Sequence, residues 1–269
     1  MHIIQEYGEN TGREDKERTS SGRLIERRND DIDEWRIKTE MKDANLATGS
    51  GPGMFMLGLE RCTGRYESTL AKARHMWEMG KAEFPNLGEM PEVEVVLGVD
   101  AKDPKWQTQT GYDAQKHCSN RRGFAPMTPG ELCCAEGHKR MLSRFLKTTL
   151  RDAIFMEDDV VFKRPPQALI TMWQTKPVDC GILLPYDDGI SEQVCMKRNA
   201  NWKRMRVASY GAICYICTRD AAARLLKELT PTTVPADWPL KFRAEYLNLW
   251  QLETPMIAYN KDLGSEIQG

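Results

Sequence analysis

Three adjacent carboxylates, Glu157, Asp158 and Asp159, stand directly after the apolar run Ala153-Ile154-Phe155-Met156 and just before Val160-Val161-Phe162. Adjacent acids repel one another unless a cation or a set of donors holds them. A solvated surface turn is the plain alternative, but such a turn seldom sits between two buried runs. In α/β sheets ligands bind beyond the carboxyl ends of the strands. Residues i and i+2 of an extended chain point the same way, so Glu157 and Asp159 are expected to share one hard divalent ion. Mn²⁺ or Mg²⁺ suits two carboxylates completed by phosphate oxygens. Asp158 then faces elsewhere, toward a ribose hydroxyl.

Other residues suit the same chemistry. Arg61 and Arg65 follow a first apolar strand, and arginine forks grip phosphate oxygens in pairs; a solvated helix start is the competing reading. Glu131, Cys134 and His138 are spaced i, i+3 and i+7, which puts them on one helical stripe. Glu131 is explained equally by a capping box with Thr128. His138 reads as a core histidine or as a substrate contact, and Cys134 as a small buried hydrophobe. The run 197–206 carries five basic residues around Trp202, among them Lys203 and Arg204. It reads as a solvated loop or as a contact for a diphosphate, an anionic acceptor or nucleic acid. Asp237 precedes Trp238 in a proline-rich stretch. A carboxylate beside aromatic bulk can hold a raised pKa and act as a base, while a helix N-cap is the structural alternative.

The elements that must position these residues follow from periodicity. Met54–Leu59 and Val93–Val99 read as buried strands, and Tyr66–Lys81 between them as a helix with Leu70, Ala73, Trp77 and Gly80 on one face. That order predicts a right-handed parallel crossover. Residues 101–127 read as loop. Thr128-Pro129-Gly130-Glu131 is a helix start with the favoured proline, and the helix is expected to run to about Leu150. Further strands are predicted at 181–186, across 207–217 and at 255–259, with a helix capped by Thr218. Strands alternating with helices predict an α/β sandwich.

Composition limits the function classes. Apolar residues make up 41% of the 269 and charged residues 29%, as in ordinary globular chains. Lys+Arg is 38 and Asp+Glu 39, so bulk charge holds the chain to neither nucleic acid nor membrane. No stretch reads as a transmembrane helix, and Met1–Asn10 lacks the layout of a signal peptide. A cytoplasmic chain with reduced thiols is the expectation for its eight cysteines. The Cys214/Cys217 pair has no second pair to complete a zinc site. Residues 1–50 hold 21 charged and 13 apolar side chains, too few of the latter to offset ordering entropy. They read as a charged extension, flexible or with an exposed helix near 30–43, joined by the linker 47–53 to a domain spanning 51–269.

Taken in order, these motifs carry a resemblance. TPGELCCAEGH (128–138) followed by IFMEDDVVF (154–162) resembles glycosyltransferase family 25, which includes lipooligosaccharide and collagen hydroxylysine galactosyltransferases. Gly130, Glu131, Cys134 and His138 match the family's Gly-Glu-x-Gly-Cys-x-x-Ser-His run, and Glu157 to Val160 its Glu-Asp-Asp-Val. LGLERCTGR (57–65), YGAICYICTRDAAARLL (210–226), VPADW (234–238) and the tail 254–267 look like further family stretches. Cys133, Gly137 and Ala212 depart from the usual Gly, Ser and Thr, while the acids are intact. The resemblance implies a GT-A-type nucleotide-sugar sandwich with a mostly parallel central sheet. It implies transfer of galactose or glucose from a UDP-sugar to a saccharide or other hydroxyl acceptor, with inversion, and places Asp237 near the acceptor as base. Two alternatives stay open: glycosylation of a hydroxylated DNA base, with 197–206 tracking phosphates, and a non-catalytic binder of sugar nucleotides.

Overall fold

The computed structural model describes residues 51–112, 127–187, 193–199 and 201–260. The charged extension expected over 1–50 lies outside them. Strand β1 (Gly53–Gly58) leads through a short 3-10 turn into helix α1 (Thr63–Gly80), and β2 (Val93–Leu97) returns beside β1 in parallel. Helix α2 (Trp106–Thr110) forms within the stretch expected to be loop. Helix α3 (Pro129–Leu146) precedes β3 (Asp152–Glu157), the acidic turn and β4 (Val160–Phe162). There follow α4 (Pro166–Gln174), β5 (Ile182–Leu184), β6 (Val194–Arg198), β7 (Trp202–Val207) and β8 (Cys214–Thr218). The last elements are α5 (Arg219–Glu228), α6 (Asp237–Phe242), β9 (Leu249–Leu252) and β10 (Ile257–Tyr259).

Eight strands form one sheet in the order β2-β1-β3-β8-β5-β9-β7-β6. β1 pairs with β2 and β3 in parallel, and β5 with β9. β8 lies antiparallel between β3 and β5, and β7 between β9 and β6. Six strands therefore point one way and β7 and β8 the other, which gives the α/β sandwich its common carboxyl edge. β10 pairs with β4 in a separate antiparallel ribbon. No described helix is long and apolar enough to cross a membrane.

The core explains why β3 is held firmly. Phe55, Phe155 and Tyr215 stand in register on β1, β3 and β8. Their rings stack at 5.5 and 5.1 Å, and Phe145 of α3 meets the first two edge-on at 6.0 and 5.7 Å. Such cross-strand aromatic pairs add to the burial term itself. Helix α3 seats closely because Gly137 lacks a side chain: a Cβ there would lie 2.8 Å from Leu57 of β1. The capping box of α3 is complete. Thr128 N–H donates to Glu131 Oε2 at 2.7 Å, and Glu131 N–H to Thr128 Oγ1 at 3.2 Å.

Two expectations need correcting. The single strand predicted across 207–217 is two, β7 and β8, separated by an irregular stretch at 208–213. Gly211 there has φ of 94°, a conformation that other residues rarely adopt. The basic residues of the run 197–206 do not lie on a loop: Lys197 and Arg198 end β6, and Lys203, Arg204 and Arg206 lie on β7.

Candidate active site

A cleft of about 1070 Å³ opens at the carboxyl edge of the sheet. Each of three apolar strands delivers acid to it: β2 runs on to Asp100, β3 to Glu157, Asp158 and Asp159, and β5 to Asp187. Glu131 and Cys134 reach it from α3, Arg61 and Arg65 from the start of α1 and the turn before it, and Asp237 and Trp238 from α6. The structure thus gathers Arg61, Arg65, Glu131, Glu157, Asp158, Asp159 and Asp237 on one cavity.

The acidic turn is fixed through its backbone. Glu157 N–H donates to Ile213 O at 2.8 Å, Thr69 Oγ1 to Asp158 O at 2.7 Å, and Asn260 N–H to Asp159 O at 3.0 Å. Arg65 answers part of its charge: Nη2 lies 2.8 Å from Asp158 Oδ1 and 3.8 Å from Asp159 Oδ2. Asp158 therefore spends one oxygen on Arg65. Asp159 is buried, and its Oδ1 accepts no hydrogen bond among the described residues. Burial, then the charges of Glu157 and Asp158, push its carboxyl up to about 7, with Arg65 pulling the other way.

His138 does not line the cleft. It is buried behind Glu157, with Nε2 3.2 Å from Glu157 Oε1 and Nδ1 3.1 Å from the Tyr215 hydroxyl. Of its two readings, the core one describes its place, and it touches the site only through Glu157. Asp237 accepts the Gly211 N–H on Oδ2 at 3.0 Å, tying α6 to the break between β7 and β8. Burial raises the Asp237 carboxyl, Gly211 N–H lowers it, and the Glu157 charge raises it further.

Lys203 and Arg204 are not among the lining residues. Lys203 is buried, with Nζ 3.5 Å from Asp187 Oδ2. Arg204 lies 3.0 Å from Asp179 Oδ2 and donates to Asn248 Oδ1 at 3.2 Å. Asp100 and Asp187 are the residues that the sequence reading missed. Asp100 pairs with Arg61 on the cleft wall, and Asp187 accepts from Gln193 Nε2 at 2.7 Å. Both follow an apolar strand, the same signal that singles out Glu157 to Asp159.

The donor set fits a hard divalent ion. An acid-lined cleft repels an anionic nucleotide, and Asp159 presents a buried oxygen with no donor to satisfy it. Glu157 and Asp159 are the residues that would hold such an ion.

The fold is that of an α/β protein with a cleft and a carboxylate cluster at the strand ends. Residues 78–239, more than half of the chain, match glycosyltransferase family 25, described as an LPS biosynthesis protein family, and the chain belongs to that family. It is a glycosyltransferase, with a sugar donor and an acceptor as its substrates. The matched stretch holds Glu131, Glu157 to Asp159 and Asp237, while Arg61 and Arg65 precede it. No curated protein matches the chain.

Proposed function

We propose that the enzyme moves a hexose, galactose or glucose, from a UDP-sugar to an acceptor hydroxyl with inversion, and that it requires Mn²⁺ or Mg²⁺. The observation that carries this reading is Asp159 Oδ1, a buried carboxylate oxygen without a donor, in a cleft where acids outnumber bases. An ion held by Glu157 and Asp159 supplies positive charge to the leaving diphosphate. Arg65, itself on the cleft, keeps the acidic turn in place through Asp158. Arg61, a third exposed on the cleft wall, meets the outer phosphate oxygens. Asp158, on the same cleft, is the acid that faces the ribose.

Asp237 is the base. Its raised pKa brings it closer to the value at which a carboxylate takes a proton effectively at neutral pH. The acceptor oxygen attacks the anomeric carbon, the bond to the diphosphate breaks, and the acceptor proton passes to Asp237 Oδ. Gly211 N–H, donating to the other side of that carboxylate, fixes its aim. The hairpin 197–206 does not favour a nucleic-acid acceptor, because Lys203 and Arg204 are spent on internal partners.

A thermal-shift panel of UDP-sugars with and without Mn²⁺ tests the reading, since a ligand of the folded state raises its melting point. The expected outcome is a shift that needs both nucleotide and metal and is largest for one hexose. A shift of equal size in EDTA overturns metal dependence, and none with any UDP-sugar overturns the donor.

A further inference from the structure

Behind the acidic turn lies a second group of ligand atoms of different chemistry. The thiol of Cys134, a ring nitrogen of His138 and a carboxylate oxygen of Glu157 lie within 4.8 Å of one another. Cys134 and His138 are one turn apart on α3, so both project to one side. Donor atoms around a tetrahedral zinc ion stand about 4 Å apart or less, given bonds of about 2.0–2.3 Å. His138 Nε2 and Glu157 Oε1 are already 3.2 Å apart.

The surroundings complete the pattern of a metal-binding histidine. Such a histidine usually has its other ring nitrogen fixed by a second partner. Here Nδ1 lies 3.1 Å from the Tyr215 hydroxyl, and Tyr215 is itself locked in the aromatic stack with Phe155. Cys134 lines the cleft, so an ion has a path in and a fourth position open to water. A thiolate and an imidazole select zinc-like ions, whereas Mn²⁺ and Mg²⁺ prefer oxygen ligands.

We propose that Cys134, His138 and Glu157 form an inhibitory site for a soft divalent cation of the zinc class. On binding, the Cys134 thiol gives up its proton to solvent. The histidine's remaining ring proton resides on Nδ1 and is donated to Tyr215 Oη, so that Nε2 is free to ligate. Glu157 turns from the hard ion to the soft one. The inhibition rests on the proposed use of Glu157 in transfer; the binding does not.

Co²⁺ titration of the full chain, without nucleotide, tests the site by the near-ultraviolet charge-transfer band of a cobalt–thiolate bond. Wild type gives the band. Cys134→Ser loses it while keeping its melting temperature. Tyr215→Phe weakens Co²⁺ affinity by roughly tenfold or more, the usual effect of removing a partner of a metal-bound histidine. Asp159→Asn keeps the band, which separates this site from the acidic turn, and Cys195→Ser, altering an exposed thiol on β6, keeps it too. Zn²⁺ then removes the stabilisation given by Mn²⁺ plus UDP in wild type but not in Cys134→Ser. No band in wild type, an unchanged band in Cys134→Ser, or a band lost in Asp159→Asn overturns the proposal. A band that behaves as expected while Mn²⁺ plus UDP gives wild type no stabilisation leaves the soft site standing and removes the transfer reading instead.

Discussion

Asp159, buried, and Asp237, half-buried, are acids on one cleft, and burial raises both, yet their neighbours differ. Asp159 stands beside two further carboxylates with Arg65 as its cation, at 3.8 Å. Asp237 belongs to a separate wall, where the Gly211 N–H meets it at 3.0 Å. Crowded acids lower their energy most by sharing a cation, because a proton relieves only one of them at a time. An acid set apart from such a cluster and held by fixed backbone donors can instead take and return a proton with less effect on the others. The same desolvation thus prepares two side chains for different partners, and the partner is set by what the next residues in the chain are.

Variants of the two acids give the largest effects and the sharpest test of this contrast. Asp237→Asn should lower kcat by about 100-fold or more, the usual contribution of a general base. It should keep the full stabilisation by Mn²⁺ plus UDP. Asp159→Asn should lose both that stabilisation and, by on the order of 100-fold, the transfer. Two variants with the same thermal-shift profile would erase the distinction.

The metal-free protein gives a second measure. The Asp159 carboxyl titrates near 7 in the fold, whereas an unfolded Asp titrates near about 4. The fold favours its protonated form, so this contribution is full below about pH 4 and is lost as pH rises through 7. In EDTA, wild type should lose stability between pH 5 and pH 8, on the order of a few kcal/mol from this group. Asp159→Asn has no proton to lose, so urea unfolding should show a flatter slope and a more stable protein at pH 8.

Arg65→Ala removes the guanidinium that stands beside Asp158 and Asp159. At pH 8 in EDTA it should cost about 1.5–3 kcal/mol, as for a hydrogen bond to a buried charge, and saturating Mn²⁺ should restore part of it. Thr128→Ala should have the smallest effect, about 1 kcal/mol for a lost cap, read from thermal unfolding. It should leave the response to Mn²⁺ plus UDP nearly intact, since the aromatic stack and Gly137 still seat α3.

Much of the first wall was legible because each signal is local. An apolar strand, an acid at its end and a capped helix can each be read from a dozen residues, and all appear where they were expected. The second wall depends on distant pairing. Nothing near 197–206 announces that Lys203 is neutralised by Asp187 or that β7 pairs with β9, so a run of five basic residues reads as a loop. The break at Gly211 was hidden by apolar neighbours on both sides. Its partners are distant in the chain: Asp237 of α6 accepts the Gly211 N–H, and Tyr186 donates to its carbonyl. Asp100 and Asp187 carried the right signal but as single acids, which are too common at strand ends to stand out.

The order of the walls along the chain has an evolutionary consequence. The acidic wall comes from residues up to Lys163, and the Asp237 wall from Tyr186 onward, with α4 between them. A genetic crossover within α4 would exchange most of one wall and inherit most of the other, with β10 the late strand that reaches the acidic side. What limits such exchange is the set of contacts that span the seam: β3 pairs with β8, β4 pairs with β10, and Phe155 stacks on Tyr215. Chimaeras that preserve ring against ring there should fold, and those that replace Tyr215 with a small residue should open a void beneath the acids. Change around Asp237 is therefore expected to be tolerated where those strand pairings and the aromatic residue on β8 are kept.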